Sequence, residues 1–595
     1  MEGGVRNICF IGAGCVGGPA AAVIAYQNPQ IRVVVVDQDK SRIRRWRSAH
    51  LPLYEPGLDY LVRVSRDGSR EFSFLNQPGT TISSSTTAAC ESNPLQQDIR
   101  DEEQQNNRIA VQARHPNLLF TPKFEKSIKE ADVIFVAVNT PTKLKGIGAG
   151  SATDMTAFEA ATNTVARYAK PGAIIVEKST MLMHRPSFGF EVLSNPEFLA
   201  TGTAVNDLLH PSRVLIGHSK LPSGRRAAHT LRSIYASWVP NDRIITTDVW
   251  SSELSKIVAN SLLAQRISSI NSVSAICEKV GADVYEVAAC VGSDPRIGDK
   301  YLQAGIGFGG SCLKKDLLSL VYLAESLQLD EVGDYWRQVI KMNEFQRDRF
   351  SKRVVRCLNN TLVGKKITLF GYTFKAGTSD TRDSPALEII KSLLEENPRE
   401  IAIFDPLCNP ALIREEIEGL RKTCDTNLGL VEIIKIYDNP YKACAASNAV
   451  LITTECEEFQ NTSVETNRPA TAPKNELVDP RPLSTPKPTE QEVLRLHQFL
   501  MSVNPSSNLG DSDPLRRLIR PPPCANDCPD CGPQAHARSR CGDSDNYRSK
   551  NRLDWSKIVP LLAMPKWVFD GKGVIEPNSL IEIGVKVESI GRQGI

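Results

Sequence analysis

The feature that most narrows the possible folds is Gly12-Ala13-Gly14-Cys15-Val16-Gly17, which follows the apolar run Ile8 to Ile11 and opens an Ala-rich segment, Pro19 to Ala25. A GxGxxG set between a strand and a helix is a dinucleotide fingerprint, whereas the same letters elsewhere mean little. Gly12 permits the tight turn, Gly14 lets the backbone approach a pyrophosphate, and Gly17 allows close helix–strand packing, while the helix N-terminus favours negative charge. Arg32 to Asp37 then gives a second strand ending on an acid. A carboxylate there accepts hydrogen bonds from the ribose hydroxyls and repels a 2′-phosphate, which favours NAD over NADP. With Asp37 in place, Arg42 is expected to stack on adenine or pair with phosphate.

Strand candidates Ala131 to Val138 and Ala173 to Glu177 flank a helical pattern from Asp154 to Tyr168. Such alternation implies a parallel sheet with helices on both faces. From Trp250 to Lys279 apolar residues recur at helical spacing without proline or glycine, so one long helix is expected. A second alternating series follows: Lys366 to Phe370, Pro385 to Leu394, Ile401 to Phe404, Ala449 to Thr453 and Trp567 to Phe569. The fold class is therefore α/β, two doubly wound Rossmann-like parallel-sheet domains joined by a long central helix. The expected divisions are 1–248 for dinucleotide, 249–345 for the helical region and 346–595 for the second sheet. Two stretches poor in large apolar groups, about 67–117 and about 461–551, read as insertions, the second as disordered.

Lys plus Arg total 71 against 68 Asp plus Glu, which leaves no basic field to recruit nucleic acid or a membrane surface. No apolar run approaches the roughly 20 residues that span a bilayer. Met1 to Arg6 lacks the order of a signal peptide, and fifteen scattered cysteines read as reduced thiols, so a cytoplasmic protein is expected. Cys524, Cys528, Cys531 and Cys541, with His536 between, are spaced irregularly and read as a solvated loop rather than a zinc site. No metal is expected.

One cysteine stands apart. Cys312 ends the glycine-rich stretch Gly305 to Ser311 and begins a helical run, where the helix dipole and Lys314 and Lys315 favour a reactive sulfur and the glycines admit a substrate. Asp316 follows by one turn. On the long helix Lys256 and Asn260 lie four apart, on one face, and together they can stabilise an oxyanion. Glu197, in Ser194 to Leu199 at the end of an apolar strand, can act as a general base through water.

Taken together, these stretches, with Val138 to Thr142, Glu177 to Thr180, Trp250 to Lys256, Gln265 to Ser272 and Gly371 to Arg382, resemble the UDP-glucose/GDP-mannose dehydrogenase family. Gln265 to Ser272 is most similar to its UDP-glucose branch. The resemblance implies oxidation of UDP-glucose at C6 to the carboxylate, with two NAD, through a sulfur-bound intermediate on Cys312. It implies that Lys256 and Asn260 stabilise oxyanions, that Glu197 with Thr142 manages water, and that Asp316 orients Lys256. Cofactor contacts are implied for Gly12, Gly14, Cys15, Val16, Gly17, Asp37, Arg42, Thr140, Ser179, Thr180 and Arg382. Substrate contacts are implied for Phe198, Leu199, Phe308, Gly309, Lys375 and Lys572, and for Arg296 in a neighbouring subunit's site. A homo-oligomer, dimer or hexamer, is the implied assembly. The rival readings are a related nucleotide-sugar dehydrogenase and a nucleotide-binding subunit that turns over little. Two departures motivate the second, Thr201 where the family has glutamate and a connection from Thr180 to Val192 too short for a full crossover helix; a third, Lys572 where it has arginine, keeps the charge but loses the bidentate fork.

Overall fold

A computed structural model describes residues 4–75, 108–179, 190–408, 410–423, 433–460, 518–519, 524 and 552–593. The first half contains β1 (Asn7–Ile11), β2 (Arg32–Val36), β3 (Phe72–Leu75), β4 (Arg108–Val111), β5 (Leu118–Thr121), β6 (Val133–Val136), β7 (Ile174–Glu177), β8 (Glu191–Ser194), β9 (Val214–His218) and β10 (Ile244–Asp248). Eight of them form one sheet in the order β10-β9-β8-β7-β6-β1-β2-β5. Valine-rich strands such as β2 are buried on both faces, as a helix-covered parallel sheet requires. All pairs are parallel but one. β8 meets β9 antiparallel at Ser194 and Gly217, a departure from the fully parallel expectation.

The second half holds β11 (Lys366–Phe370), β12 (Glu400–Phe404), β13 (Ile434–Ile436), β14 (Ala449–Ile452), β15 (Trp567–Asp570) and β16 (Lys586–Ser589), all parallel in the order β13-β12-β11-β14-β15-β16. In each sheet the strand order reverses beside the first strand, between β1 and β6 and between β11 and β14. Ligand crevices open at such switch points. Between the sheets runs the helix Val249–Val280, capped at its start by the Asp248 carboxylate on the Ser251 amide and stopped by left-handed Gly281. The helices Ser311–Ser326 and Asp330–Cys357 pack on it. Among the described residues no helix is long and apolar enough to cross a membrane.

The insertions need correction. The flanks of the first form the antiparallel pair β3 and β4, with Ser69 bridged to Arg114 beyond them. The second was expected to be wholly disordered, yet Leu518 is 9% exposed, bridges to Ser69 and joins the core of the first half. Arg63 also donates to the Ile519 carbonyl at 3.1 Å, and the Cys524 sulfur lies 3.1 Å from His50 Nδ1. A few apolar residues within a polar segment suffice to dock it. Cys528, Cys531, Cys541 and His536 lie outside the described residues. So do Thr180 and the short connection after it, although β7 and β8 pair in parallel from Ile174 and Glu191.

Candidate active site

The glycine turn has the geometry that a dinucleotide needs. Gly12 adopts φ +107° and donates from its amide to Val36 O at 2.8 Å; a Cβ on it would lie 2.4 Å from Ala137 O. A Cβ on Gly17 would lie 2.0 Å from Gly12 O, so close packing excludes any side chain there. Gly14 differs: no atom stands within 4 Å of the place of its Cβ, which leaves an open cradle in front of the helix Gly17–Gln27. Val16 caps that helix and Cys15 is exposed at the lip. These residues fit a pyrophosphate.

Asp37 is buried and organised: its carboxylate accepts from the amides of Ala13 (2.8 Å) and Asp39 (2.9 Å). The Arg42 guanidinium is engaged by Asp37 at 3.0 Å and Asp39 at 3.5 Å, and its side chain stays partly exposed beside the cradle. On the other side of the crevice Thr140 is buried and accepts from Lys315 Nζ at 3.3 Å, and Ser179 donates to Val138 O at 2.8 Å.

Cys312 is the second residue of its helix and is exposed. Asp316, one turn on and 1% exposed, accepts from Asn260 Nδ2 at 2.6 Å and pairs with Lys315 at 3.4 Å. Burial lowers the Lys256 pKa, against the opposing pull of Asp316, Cys312 and Glu197, which face it. Lys256, Asn260, Cys312 and Asp316 thus converge from two packed helices. Asp316 bonds Asn260 and is also the charge that acts most strongly on the Lys256 ammonium.

Phe198 lies between two cations, with Arg213 at 4.1 Å and Lys256 at 5.2 Å from its ring centre, while Leu199 packs on the first core. The Glu197 carboxylate bonds the buried Lys178 ammonium at 2.6 Å, and the Thr142 backbone pairs with that of Thr153. Burial opposes the charge of Lys178, but Glu197 and Tyr235 overcome it and raise its pKa. Lys178 and Arg213 went unread in the sequence. Nothing in their spacing marks them; only the sheet brings them to Glu197 and Phe198.

The second half closes over this cluster. Burial lowers the Lys375 pKa, with Glu55, Asp207, Asp380 and Cys312 opposing. Arg382 forks onto Asp380 at 2.6 and 2.9 Å and faces Cys15 of the glycine turn. Lys572 lies beside the cysteine loop, its Cδ 3.4 Å from the place of a Cβ on Gly305, and Phe308 and Gly309 form that loop's centre. Arg296 stands apart, its side chain 87% exposed and paired with Asp294.

Family models cover most of this architecture. The NAD binding domain of the UDP-glucose/GDP-mannose dehydrogenase family matches residues 6–98 and 93–239, its central domain 250–345 and its UDP binding domain 368–486. The chain belongs to the UDP-glucose/GDP-mannose dehydrogenase family. A UDP-glucose 6-dehydrogenase of Drosophila melanogaster is 43% identical over 76% of this chain and 87% of its own, and that of Caenorhabditis elegans is 42% identical over 77% and 87%. A UDP-glucose dehydrogenase structure from Pyrobaculum islandicum aligns with TM-score 0.58 and 26% identity over 76% of this chain and 91% of its own. A UDP-D-ManNAc dehydrogenase from Pyrococcus horikoshii, at 18% identity and TM-score 0.61 over 99% and 100%, shares the fold. The dehydrogenase is an NAD-dependent oxidoreductase with two Rossmann-like sheets.

Proposed function

We propose that the chain oxidises UDP-glucose to UDP-glucuronate in two steps on one sulfur. The observation that carries this reading is the convergence of exposed Cys312 with Lys256, Asn260 and Asp316. NAD would be held by Gly12, Gly14, Cys15, Val16, Gly17, Asp37, Arg42, Thr140 and Ser179 and would supply the hydride acceptor for each half-reaction. An aldehyde cannot lose a second hydride until a nucleophile adds to it. Cys312 adds, Lys256 and Asn260 hold the resulting oxyanion, and loss of hydride leaves a thioester that water cleaves. Glu197, charge-paired with Lys178, serves the water, and Asp316 fixes Asn260.

Lys375 and Lys572 suit the diphosphate and sugar side, with Phe198, Leu199, Phe308 and Gly309 forming the sugar's walls and Arg382 joining the two halves. The domain divisions proposed are 1–248, 249–345 and 346–595. A cytoplasmic homo-oligomer is proposed, its contact supported by exposed Trp250, Leu254 and Tyr335 on the two long helices; Arg296 then serves a neighbouring site. The purified protein with UDP-glucose and NAD should yield two NADH per sugar. Cys312→Ser should bind both nucleotides but stall after the first oxidation, slowing the second by at least about a hundredfold. Two NADH per sugar at the parent rate from that variant would remove the sulfur from the mechanism.

A further inference from the structure

The loop that leads into Cys312 is held from behind by buried carboxamides on the two long helices. Asn343, 4% exposed, accepts from the Phe308 amide through Oδ1 at 2.8 Å and donates through Nδ2 to the Phe308 carbonyl at 3.1 Å. It holds both polar groups of one residue, as a neighbouring β-strand would. Three residues earlier the pattern recurs: the Gly305 amide donates to Asn271 Oδ1 at 2.9 Å, and Gln346 Nε2 donates to the Gly305 carbonyl at 2.8 Å. Asn271 and Gln346 are fully buried.

The fit at Asn343 depends on glycine. Gly307 adopts φ +102°, and a Cβ on it would lie 2.4 Å from Asn343 Oδ1. On its other face the loop presses against the second half. The Gly310 amide donates to Asp383 O at 3.2 Å, and a Cβ on Gly309 would lie 2.4 Å from Pro385 Cδ. The loop is therefore clamped from the helices and from the UDP-binding half, and two residues past Gly310 it delivers the sulfur.

We propose that Asn343 is a positioning residue for the reaction: through the peptide planes at Phe308 it sets where the Cys312 sulfur stands relative to Lys256 and Asn260. A planar carboxamide is the side chain for this because it carries a donor and an acceptor in one rigid group. Aspartate supplies only the acceptor when ionised, and alanine supplies neither. Asn343 touches no substrate; its effect passes through the backbone.

The inference rests on Cys312 being the nucleophile, and its test separates the two. Asn343→Ser, which keeps one hydrogen-bonding group and leaves a folded chain at least cost, should lower kcat roughly tenfold or more, since small misplacements of reacting groups are expensive. KM for NAD should stay within about twofold, because the glycine turn is untouched. The rate of Cys312 alkylation by iodoacetamide should change by a similar factor at an unaltered thermal midpoint, and this readout needs no turnover at all. Gly307→Ala should be severe alone and cost less in the Asn343→Ser background, since the two share one contact. Unchanged kcat and alkylation would overturn the proposal, and so would a loss of kcat, NAD affinity and thermal midpoint in parallel, the mark of a purely structural role. Absence of UDP-glucose turnover in the parent, with alkylation still responding to Asn343→Ser, would leave the clamp standing and remove the reaction instead.

Discussion

The two sheets begin with the same device and use it differently. In the first, Gly12 at φ +107° follows β1, donates to Val36 O at 2.8 Å, and Asp37 beyond β2 accepts the Ala13 amide. In the second, Gly371 at φ +93° follows β11, donates to Phe404 O at 2.9 Å, and Asp405 beyond β12 accepts the amides of Tyr372 at 2.7 Å and Thr373 at 3.0 Å. There the likeness ends. The first turn runs at once into the helix Gly17–Gln27, so backbone amides face the ligand; the second reaches its helix only at Pro385, and the intervening loop carries Lys375 and Arg382 toward the other half. One switch point offers main chain to its crevice, the other reaches across it with side chains.

The comparison breaks first at the two glycines, where the largest effects are expected. Both occupy left-handed backbone and neither has room: a Cβ meets Ala137 O at 2.4 Å in the first sheet and the Thr454 Cβ at 2.3 Å in the second. Each alanine variant should lose about 2–3 kcal/mol of stability. Gly12→Ala should abolish NAD binding while UDP still binds, and Gly371→Ala the reverse, as read by titration calorimetry with each nucleotide. Thr454→Gly should relieve part of the second defect, because the two nearest obstacles there, Thr454 Cβ and Oγ1, are side-chain atoms; no such change can move the Ala137 carbonyl. Loss of both nucleotides in either variant would show that the turns are scaffolding rather than separate binding devices.

A smaller effect separates the two carboxylates that hold the turns. With Asp37 proposed to meet the ribose, NAD should exceed NADP in kcat/KM by at least about tenfold, some 1.4 kcal/mol, and Asp37→Asn should narrow that gap. Asp405→Asn should leave the cofactor ratio alone. An equal ratio in the parent would end the assigned role of Asp37.

Sequence reading served the first turn well because the glycine spacing is itself the geometry: Gly12 and Gly17 have local backbone reasons to be glycine, and Gly14 leaves the cradle open. Cys312, Lys256 and Asn260 were legible for the same reason, since helical spacing and a glycine loop fix their relations within single segments. Lys178, Arg213 and Asn343 were not. Their partners Glu197, Phe198 and Phe308 lie across a sheet or on another helix, and no local pattern reports such a distance. Arg42 shows what spacing leaves out in another way, because its ion pairs with Asp37 and Asp39 are visible only in the folded chain. Leu518 shows the limit of composition: one buried side chain in a polar segment changes where the segment sits without changing its average.

The smallest expected effect sharpens the contrast between the halves through buried carboxyls. Glu400, in the second sheet, would be raised by burial, but Tyr437, Lys366 and Lys435 bond it and hold it down at about 2. Glu253, on the long helix beneath the first sheet, has both oxygens buried without a hydrogen-bond partner; burial and then Glu177 push it up to about 8, and Glu177 itself is pushed by burial to about 7. The two therefore act on stability with opposite signs. The contribution of Glu400 is present above its unfolded pKa, near 4.5, and is lost as pH falls toward about 2. For Glu253 the folded state keeps its proton while the unfolded state releases it above about 4.5, so its cost grows as pH rises and levels off only past about 8. Glu253→Gln should thus stabilise the chain by on the order of 1 kcal/mol at pH 8 and by nothing measurable at pH 4, whereas Glu400→Gln should destabilise it by a similar amount at pH 7. Urea denaturation from pH 4 to 9 reads both. A Glu253→Gln stability curve running parallel to the parent's over that range would mean that this carboxyl finds a cation or a proton donor in solution, and the difference between the halves would then be confined to their turns.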